Sequence, residues 1–222
     1  KFKIQFARMG EPTLNKAVLE VLEKLPSRYD APGLIPSIST IAPYGCEKFL
    51  ETMQEIKNTL YMNGHFQFQY SLHSTDEDQR DQLIPVRKWN FKQLSAFGDR
   101  YYQSGDRKIT LNFALAKGME LDPKVLLTYF DPVKYMIKIT PVNPTCQAVK
   151  NGLISYIDPA NPGKHSEITD QLKNSGYEVI LSIGEVKENL IGSNCGQYVL
   201  KYMQTQNVMR DGYTYPVKMT AG

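Results

Sequence analysis

Long apolar runs are missing from this sequence. No stretch reaches the ~18 residues that a membrane-spanning helix requires, which excludes a helical membrane protein. No basic segment followed by an apolar stretch opens the chain, so no secretory leader is expected. Cysteine is scarce: three residues, Cys46, Cys146 and Cys195, lie far apart in 222. That number and spacing exclude a disulfide framework and predict a reducing compartment, the cytoplasm. No two of them have metal-ligand spacing, so the chain's own cysteines build neither a zinc nor an iron–sulfur site. Charge of one sign is not in excess either, with 26 Lys and Arg against 23 Asp and Glu and a net charge of +3. Such a balance permits a nucleic-acid partner without arguing for one, because a dedicated binder shows a concentrated basic face. Repeats and low-complexity segments are absent as well.

What is present is an ordinary globular composition, 41% apolar and 22% charged, in a chain long enough to bury a sizeable core. Lys1 to Phe6 opens directly as a strand with no initiator Met, so the chain is expected to be a fragment. Strand patterns fall at Phe2–Ala7, Pro36–Ile41, His65–Leu72, Lys108–Ala114, Met136–Val142 and Glu178–Ile183. Helix patterns lie between them, near Asn15–Leu25, Glu47–Tyr61, Asp76–Leu83, Phe91–Gln103, Asp122–Phe130 and Ser166–Ser175, with a last one at Asn194–Gln204. Strand and helix in alternation predict an α/β fold with parallel pairing. Residues 1–206 read as one domain and 207–222 as a C-terminal arm.

Several strands alternate in polarity, which parallel strands covered on both sides do not do. Phe2, Ile4 and Phe6 share one face, and Lys3, Gln5 and Ala7 the other. Phe66, Phe68 and Tyr70 oppose Gln67, Gln69 and Ser71. Ile109, Leu111 and Phe113 oppose Thr110, Asn112 and Ala114, and Ser37 and Ser39 repeat the pattern. One face of the sheet is therefore polar. Helices must cover the other, and a closed or partly open barrel with a roomy interior satisfies both demands. In such barrels the chemistry sits at the carboxyl ends of the strands.

Candidate residues cluster at those ends. Gly10 permits close backbone approach to a ligand, and Glu11 places a carboxylate there that suits an ammonium group; the alternative is a turn with a solvated Glu. Ser39 and Ser71 end the polar face of their strands. His73 continues the phase of Gln67, Gln69 and Ser71, either into the interior or as a structural histidine. Asn143, between Pro141 and Pro144, is a turn residue or a rim residue. Cys195 lies in Gly192 to Gln197, which reads as a helix start. A thiol in a first turn feels the helix dipole and becomes a better nucleophile. Equally, it shares helical spacing with Tyr198, Val199 and Tyr202 and so reads as a buried thiol. Arg87-Lys88-Trp89 reads as an RNA contact or as a turn before the next helix.

The order of these motifs resembles the radical S-adenosylmethionine family of 23S ribosomal and transfer RNA adenine C2 (or C8) methyltransferases. Met9-Gly10-Glu11-Pro12 is similar to that family's Met-Gly-Glu-Pro, and Ile38-Ser39-Thr40 to its Leu-Ser-Thr. Ser71-Leu72-His73, followed by Asp76, Arg80-Asp81 and Ile84-Pro85-Val86, resembles its Ser-Leu-His, Arg-Asp and Val-Pro-Ile segment. Ile139 to Pro144 resembles Leu-Ile-Pro-Trp-Asn-Pro, and Asn194-Cys195-Gly196-Gln197 resembles Ala-Cys-Gly-Gln.

The resemblance implies a partial (β/α)6 TIM-like barrel of the radical S-adenosylmethionine type, missing its first strand and carrying an extra C-terminal strand and helix. It implies that Gly10 and Glu11 bind the methionyl amine of S-adenosylmethionine, and that Ser39, Ser71, Leu72, His73 and Asn143 hold the rest of it. Cys195 would be the cysteine that is methylated and then attached to the RNA base. The implied parent also holds a [4Fe–4S] cluster, an electron donor such as flavodoxin or ferredoxin, and ribosomal or transfer RNA as substrate. The cluster loop of that family, Cys-x3-Cys-x2-Cys, has no counterpart here, so its cysteines are expected upstream of Lys1 and this chain alone is expected to be inactive. Around Glu185–Glu188 the sequence is more acidic than the family. That motivates two alternatives: the same radical chemistry on a non-RNA acceptor, or a non-catalytic ligand-binding barrel.

Overall fold

In the computed structural model, residues 1–7, 10–158, 161 and 166–183 are described. Six parallel strands form one sheet in the order β1-β2-β3-β4-β5-β6. They span Phe2–Phe6 (β1), Leu34–Thr40 (β2), Gln67–Ser71 (β3), Ile109–Ala114 (β4), Tyr135–Thr140 (β5) and Val179–Leu181 (β6). All six begin and end within about two residues of the sequence-based ranges, or slightly inside them. Between them lie α1 (Ala17–Arg28), α2 (Glu47–Leu60), α3 (Glu77–Leu83), α4 (Phe91–Tyr101), α5 (Pro123–Tyr129), α6 (Cys146–Lys150) and α7 (Ser166–Asn174). The last predicted helix, at 194–204, and the arm at 207–222 lie outside the described residues.

Each strand pairs with its neighbour in sequence, so the sheet is wound in one direction only. Right-handed crossovers then place every helix on the same face. That is the winding of a TIM-like barrel, here a partial one whose sheet is not closed. The register makes the other face polar in three levels. Gln5, Ser37 and Gln67 are level with one another. Ser39, Gln69, Thr110 and Met136 form the next level. Ser71, Asn112, Lys138 and Ile180 form the level at the carboxyl edge. Polar groups buried there bond to one another: Gln69 Nε2 donates to Ser37 Oγ at 2.9 Å and Gln67 Nε2 to Thr110 Oγ1 at 2.9 Å. Buried polar groups need such partners, because each one left unpaired costs about 1–3 kcal/mol.

The helix-facing side is apolar and aromatic. Ile38, Phe68, Tyr70, Leu111, Phe113, Ile137 and Ile139 are all buried. Phe49, Leu50, Met53, Ile56 and Lys57 form the buried stripe of α2, and Phe91, Leu94, Phe97 and Tyr101 that of α4. The spacing of three and four residues is what puts each set on one side of its helix. Caps fix where the helices begin. Asn90 and Gln93 make a reciprocal capping box on α4, while Asp76 and Asp122 cap α3 and α5. Pro26 sits in the last turns of α1 and has no N–H for the carbonyl of Leu22; the hydroxyl of Tyr61 donates to that carbonyl instead, at 2.6 Å. No helix among the described residues is long and apolar enough to cross a membrane.

Candidate functional site

The carboxyl edge of β1 and β2 gathers the first candidates. Gly10 has φ +108, in the region that favours glycine, and a Cβ built there would meet open space. Glu11 follows and caps a short 3-10 helix, Pro12–Leu14. Its carboxylate takes four donors. Oε1 accepts from Thr13 N at 3.2 Å, Thr13 Oγ1 at 2.8 Å and Thr40 Oγ1 at 2.6 Å, and Oε2 accepts from the N–H of Ile41 at 3.0 Å. Thr40 Oγ1 in turn accepts from the N–H of Ala42 at 2.8 Å. The carboxylate is thus tied to the end of β2, and Oε2, with one partner among the described residues, has capacity for another donor. Glu11 is thus a turn residue, as one of its two readings had it, but its carboxylate is hydrogen-bonded rather than simply solvated.

Ser39 and Ser71, on the polar face of β2 and β3, place their hydroxyls 3.3 Å apart. A cavity of about 310 Å³ is lined by Ala7, Gly10, Glu11, Ser39, Ile41 and Ser71. A second, of about 270 Å³, shares Ala7, Gly10 and Glu11 with it. Four candidates, Gly10, Glu11, Ser39 and Ser71, therefore meet around one space at the edge where such folds bind ligands.

The others are placed differently. Leu72 is fully buried in the core. Its N–H donates to the carbonyl of Asn112 at 2.9 Å, and no part of the residue is exposed. His73 follows the strand's end with φ +69, and Nδ1 accepts from the N–H of Ala114 at 3.0 Å. That bond assigns the ring proton to Nε2, which becomes a donor. Burial, with the Arg80 guanidinium adding to it, pushes the imidazole pKa down from 6.5 to about 4. Asn143 is half-buried beyond β5, and its carbonyl accepts from Thr145 N at 2.7 Å. The lining of the 310 Å³ cavity does not include Leu72, His73 or Asn143. Cys195 lies outside the described residues.

The depressed pKa of His73 has a consequence for stability. The unfolded imidazole, near 6.5, takes a proton before the folded one, near 4. Stability from the neutral ring is therefore complete above about pH 6.5 and is lost as pH falls toward 4. Roughly 2 kcal/mol of acid sensitivity is expected from this residue, after allowance for its partial exposure. His73→Gln keeps an acceptor for Ala114 and does not titrate, so its urea midpoint should fall less than that of the unsubstituted chain between pH 7 and pH 4.5. Identical pH dependence in the two would contradict the assignment.

Other residues resolve plainly. Cys46 is buried beside β2, and burial, followed by the nearby Glu47 and Glu11, raises its thiol to about 12, which makes it inert. In Arg87-Lys88-Trp89, Trp89 is buried and donates from Nε1 to Glu47 Oε1 at 3.0 Å. Lys88 is paired with Asp81, while Arg87 lies over the ring of Tyr44 at 4.4 Å. Of the two readings, RNA contact or turn, the structure shows a segment whose Trp89 ring is committed to the fold before α4. Thr13, Thr40 and the backbone of Ile41, which aim Glu11, were not among the sequence-based candidates. The available signal was a Thr in each of the two motifs, Gly10-Glu11-Pro12-Thr13 and Ser39-Thr40.

Among the described residues no group of His, Cys, Asp or Glu is arranged to hold a metal ion. The cavity presents the Glu11 carboxylate and the Ser39–Ser71 hydroxyl pair to whatever enters it.

Comparison with known proteins agrees with the motif order. No family model matches the chain, and no solved structure matches it. Curated relatives do. A "Probable dual-specificity RNA methyltransferase RlmN" of Pelodictyon phaeoclathratiforme is 28% identical over 207 residues, which are 90% of this chain and 54% of the relative. Proteins of the same name from Pseudothermotoga lettingae and Desulfitobacterium hafniense are 23% and 30% identical, over 92% and 87% of this chain and 56% and 51% of their own lengths. The chain is thus similar to that family over most of its residues, at low identity, and spans about half the length of the curated relatives it matches.

Proposed function

We propose that this chain is the S-adenosylmethionine-holding part of a radical enzyme that methylates an adenine of ribosomal or transfer RNA in the cytoplasm. One observation carries the reading: a carboxylate oriented by four hydrogen bonds shares a cavity with a bare glycine and a pair of hydroxyls. Glu11 binds the ligand's ammonium through the free capacity of Oε2. Gly10 lets the methionyl end lie against the backbone, where any Cβ would project into open space. Ser39 and Ser71 donate to the ligand's carboxylate and ribose oxygens. His73 offers the Nε2 proton as a neutral donor, and Asn143 completes the shell from a neighbouring strand end.

When bound, S-adenosylmethionine supplies the methyl group, and Cys195 is the proposed nucleophile that carries it to the base. The residues present fit that ligand. They do not fit an iron–sulfur cluster, for which the described residues offer no ligands; the one-electron reductant that the radical step needs would have to be held outside the described residues. The names of the relatives, the motif order and the one-way winding of the sheet all support this reading over a generic α/β domain. The acidic run at Glu185–Glu188 keeps a non-RNA acceptor as the second reading.

The test uses the protein as its natural gene encodes it. Mass spectrometry should find a methyl adduct on Cys195, and incubation with ribosomal or transfer RNA should yield a methylated adenine. An unmodified Cys195 in protein that cleaves S-adenosylmethionine would remove it from the mechanism. Cleavage without methylation of either RNA would favour the non-RNA acceptor.

A further inference from the structure

Arg80 is 2% exposed and makes no ion pair among the described residues. A buried guanidinium is ordinarily matched by a carboxylate. This one instead spends its arms on two backbone carbonyls: Nη1 donates to Trp89 O at 2.6 Å and Nη2 to Ile41 O at 3.2 Å. Nε has no partner. Glu77 and Asp81 are near enough to favour its charge, and it lies 5.7 Å from the centre of the Phe91 ring, but its hydrogen bonds among the described residues go to those two carbonyls.

Both lie at the corner that aims Glu11. Ile41 gives its N–H to Glu11 Oε2 and its carbonyl to Arg80. The next residue, Ala42, has φ +53, a conformation that a residue with a Cβ adopts only when its surroundings impose it. Those surroundings are Thr40 Oγ1 on the Ala42 N–H at 2.8 Å, the N–H of Trp89 on the Ala42 carbonyl at 2.9 Å, and Arg80 on the carbonyl between them. The adjacent chain is zipped in the same way, with Tyr44 N donating to Arg87 O at 2.9 Å.

We infer that Arg80 is a positioning residue for ammonium recognition: it holds the Thr40–Ala42 corner so that the Ile41 N–H and the Thr40 hydroxyl fix the Glu11 carboxylate. This rests on the reading of Glu11 as the group that binds the ammonium of S-adenosylmethionine. Arg80 itself does not reach the cavity, whose lining on that side is Ile41. Its effect is therefore confined to ligands that use Glu11.

The experiment compares S-adenosylmethionine with its des-amino analogue, which keeps the sulfonium and adenosine and lacks the α-ammonium. Dissociation constants are measured for the unsubstituted chain, Arg80→Lys, Glu11→Gln and the double variant. Arg80→Lys keeps the charge and can reach one carbonyl. It is expected to weaken S-adenosylmethionine ~10-fold and the analogue less than ~2-fold, with the double variant no weaker than Glu11→Gln alone. Equal weakening of both ligands, no weakening, or additive losses in the double variant would overturn the inference. If Glu11→Gln itself fails to distinguish the two ligands, the reading of Glu11 falls, a result separate from a failure of Arg80 alone. Arg80→Gln repeats the comparison without the charge, and thermal unfolding shows that each variant is folded. In the unsubstituted chain the side-chain N–H resonances of Arg80 should shift with S-adenosylmethionine and not with the analogue; shifts with neither, or with both alike, count against it.

Discussion

Glu11→Gln is expected to raise the dissociation constant for S-adenosylmethionine about 100-fold, to leave the chain folded, and to affect an ammonium-free analogue far less. The size follows from two losses. The ammonium gives up a charge-assisted hydrogen bond, which is worth about 1.5–3 kcal/mol. The substitution also places an NH2 where an oxygen accepts from Ile41 N–H or from the threonine hydroxyls, so a donor faces a donor and the remaining geometry loosens. Together they correspond to roughly 2.7 kcal/mol, or two decades of affinity. Titration calorimetry checks this directly, and a change of under threefold would mean that the carboxylate serves only the turn it caps.

The largest loss of stability is expected from Asp106→Ala. Lys57 and Asp106 form an ion pair with side chains only 2% and 9% exposed. The ammonium also donates to Tyr101 O at 3.1 Å and lies 4.6 Å from the centre of that ring. Removing the carboxylate strands a buried cation between α2 and α4, at a cost of about 3–5 kcal/mol, or roughly 10 °C in Tm for a chain of this size. The desolvation argument makes a second, sharper statement. The double variant Lys57→Met/Asp106→Ala should be more stable than Asp106→Ala alone, because it no longer buries an unpaired charge. Thermal denaturation of the three proteins decides it: a double variant less stable than the single one would show that the pair's worth lies in packing rather than in charge.

The architecture was legible because two periodicities coexist in the sequence. The helical stripes of α2 and α4 and the period-two alternation of β3 and β4 each specify an element and also the side it buries. The alternation carried more than strand positions. A polar face on parallel strands requires helices on the opposite face alone, and that is the one-way strand order observed. Shorter elements were not legible. The 3-10 helix at Pro12–Leu14 depends on a cap from Glu11, and α6 at Cys146–Lys150 is one turn long, too short to show a period.

At the site, phase predicted Ser39 and Ser71 well, because both lie within strands. For His73 the phase argument runs past the last residue of β3. The backbone turns to φ +69 there and hands the ring to the N–H of Ala114, so alternation no longer says where the side chain points. Leu72 entered through motif resemblance alone, and its side chain belongs to the core. The roles of Thr40 and Arg80 were out of reach for a different reason. Thr40 reaches Glu11 across 29 residues of chain, and Arg80 reaches the carbonyl of Ile41 across 39. Contacts of that kind exist only once the strands are in register.

The central claim, that the polar interior of a one-way sheet ends in a cavity built for an adenosyl sulfonium, is tested most directly by the structure of the chain crystallised with saturating S-adenosylmethionine. The account predicts the ligand's ammonium within hydrogen-bond distance of Glu11 Oε2, its methionyl chain against Gly10, and its oxygens beside Ser39 and Ser71. A ligand seated elsewhere on the fold, or none at saturation, would contradict it.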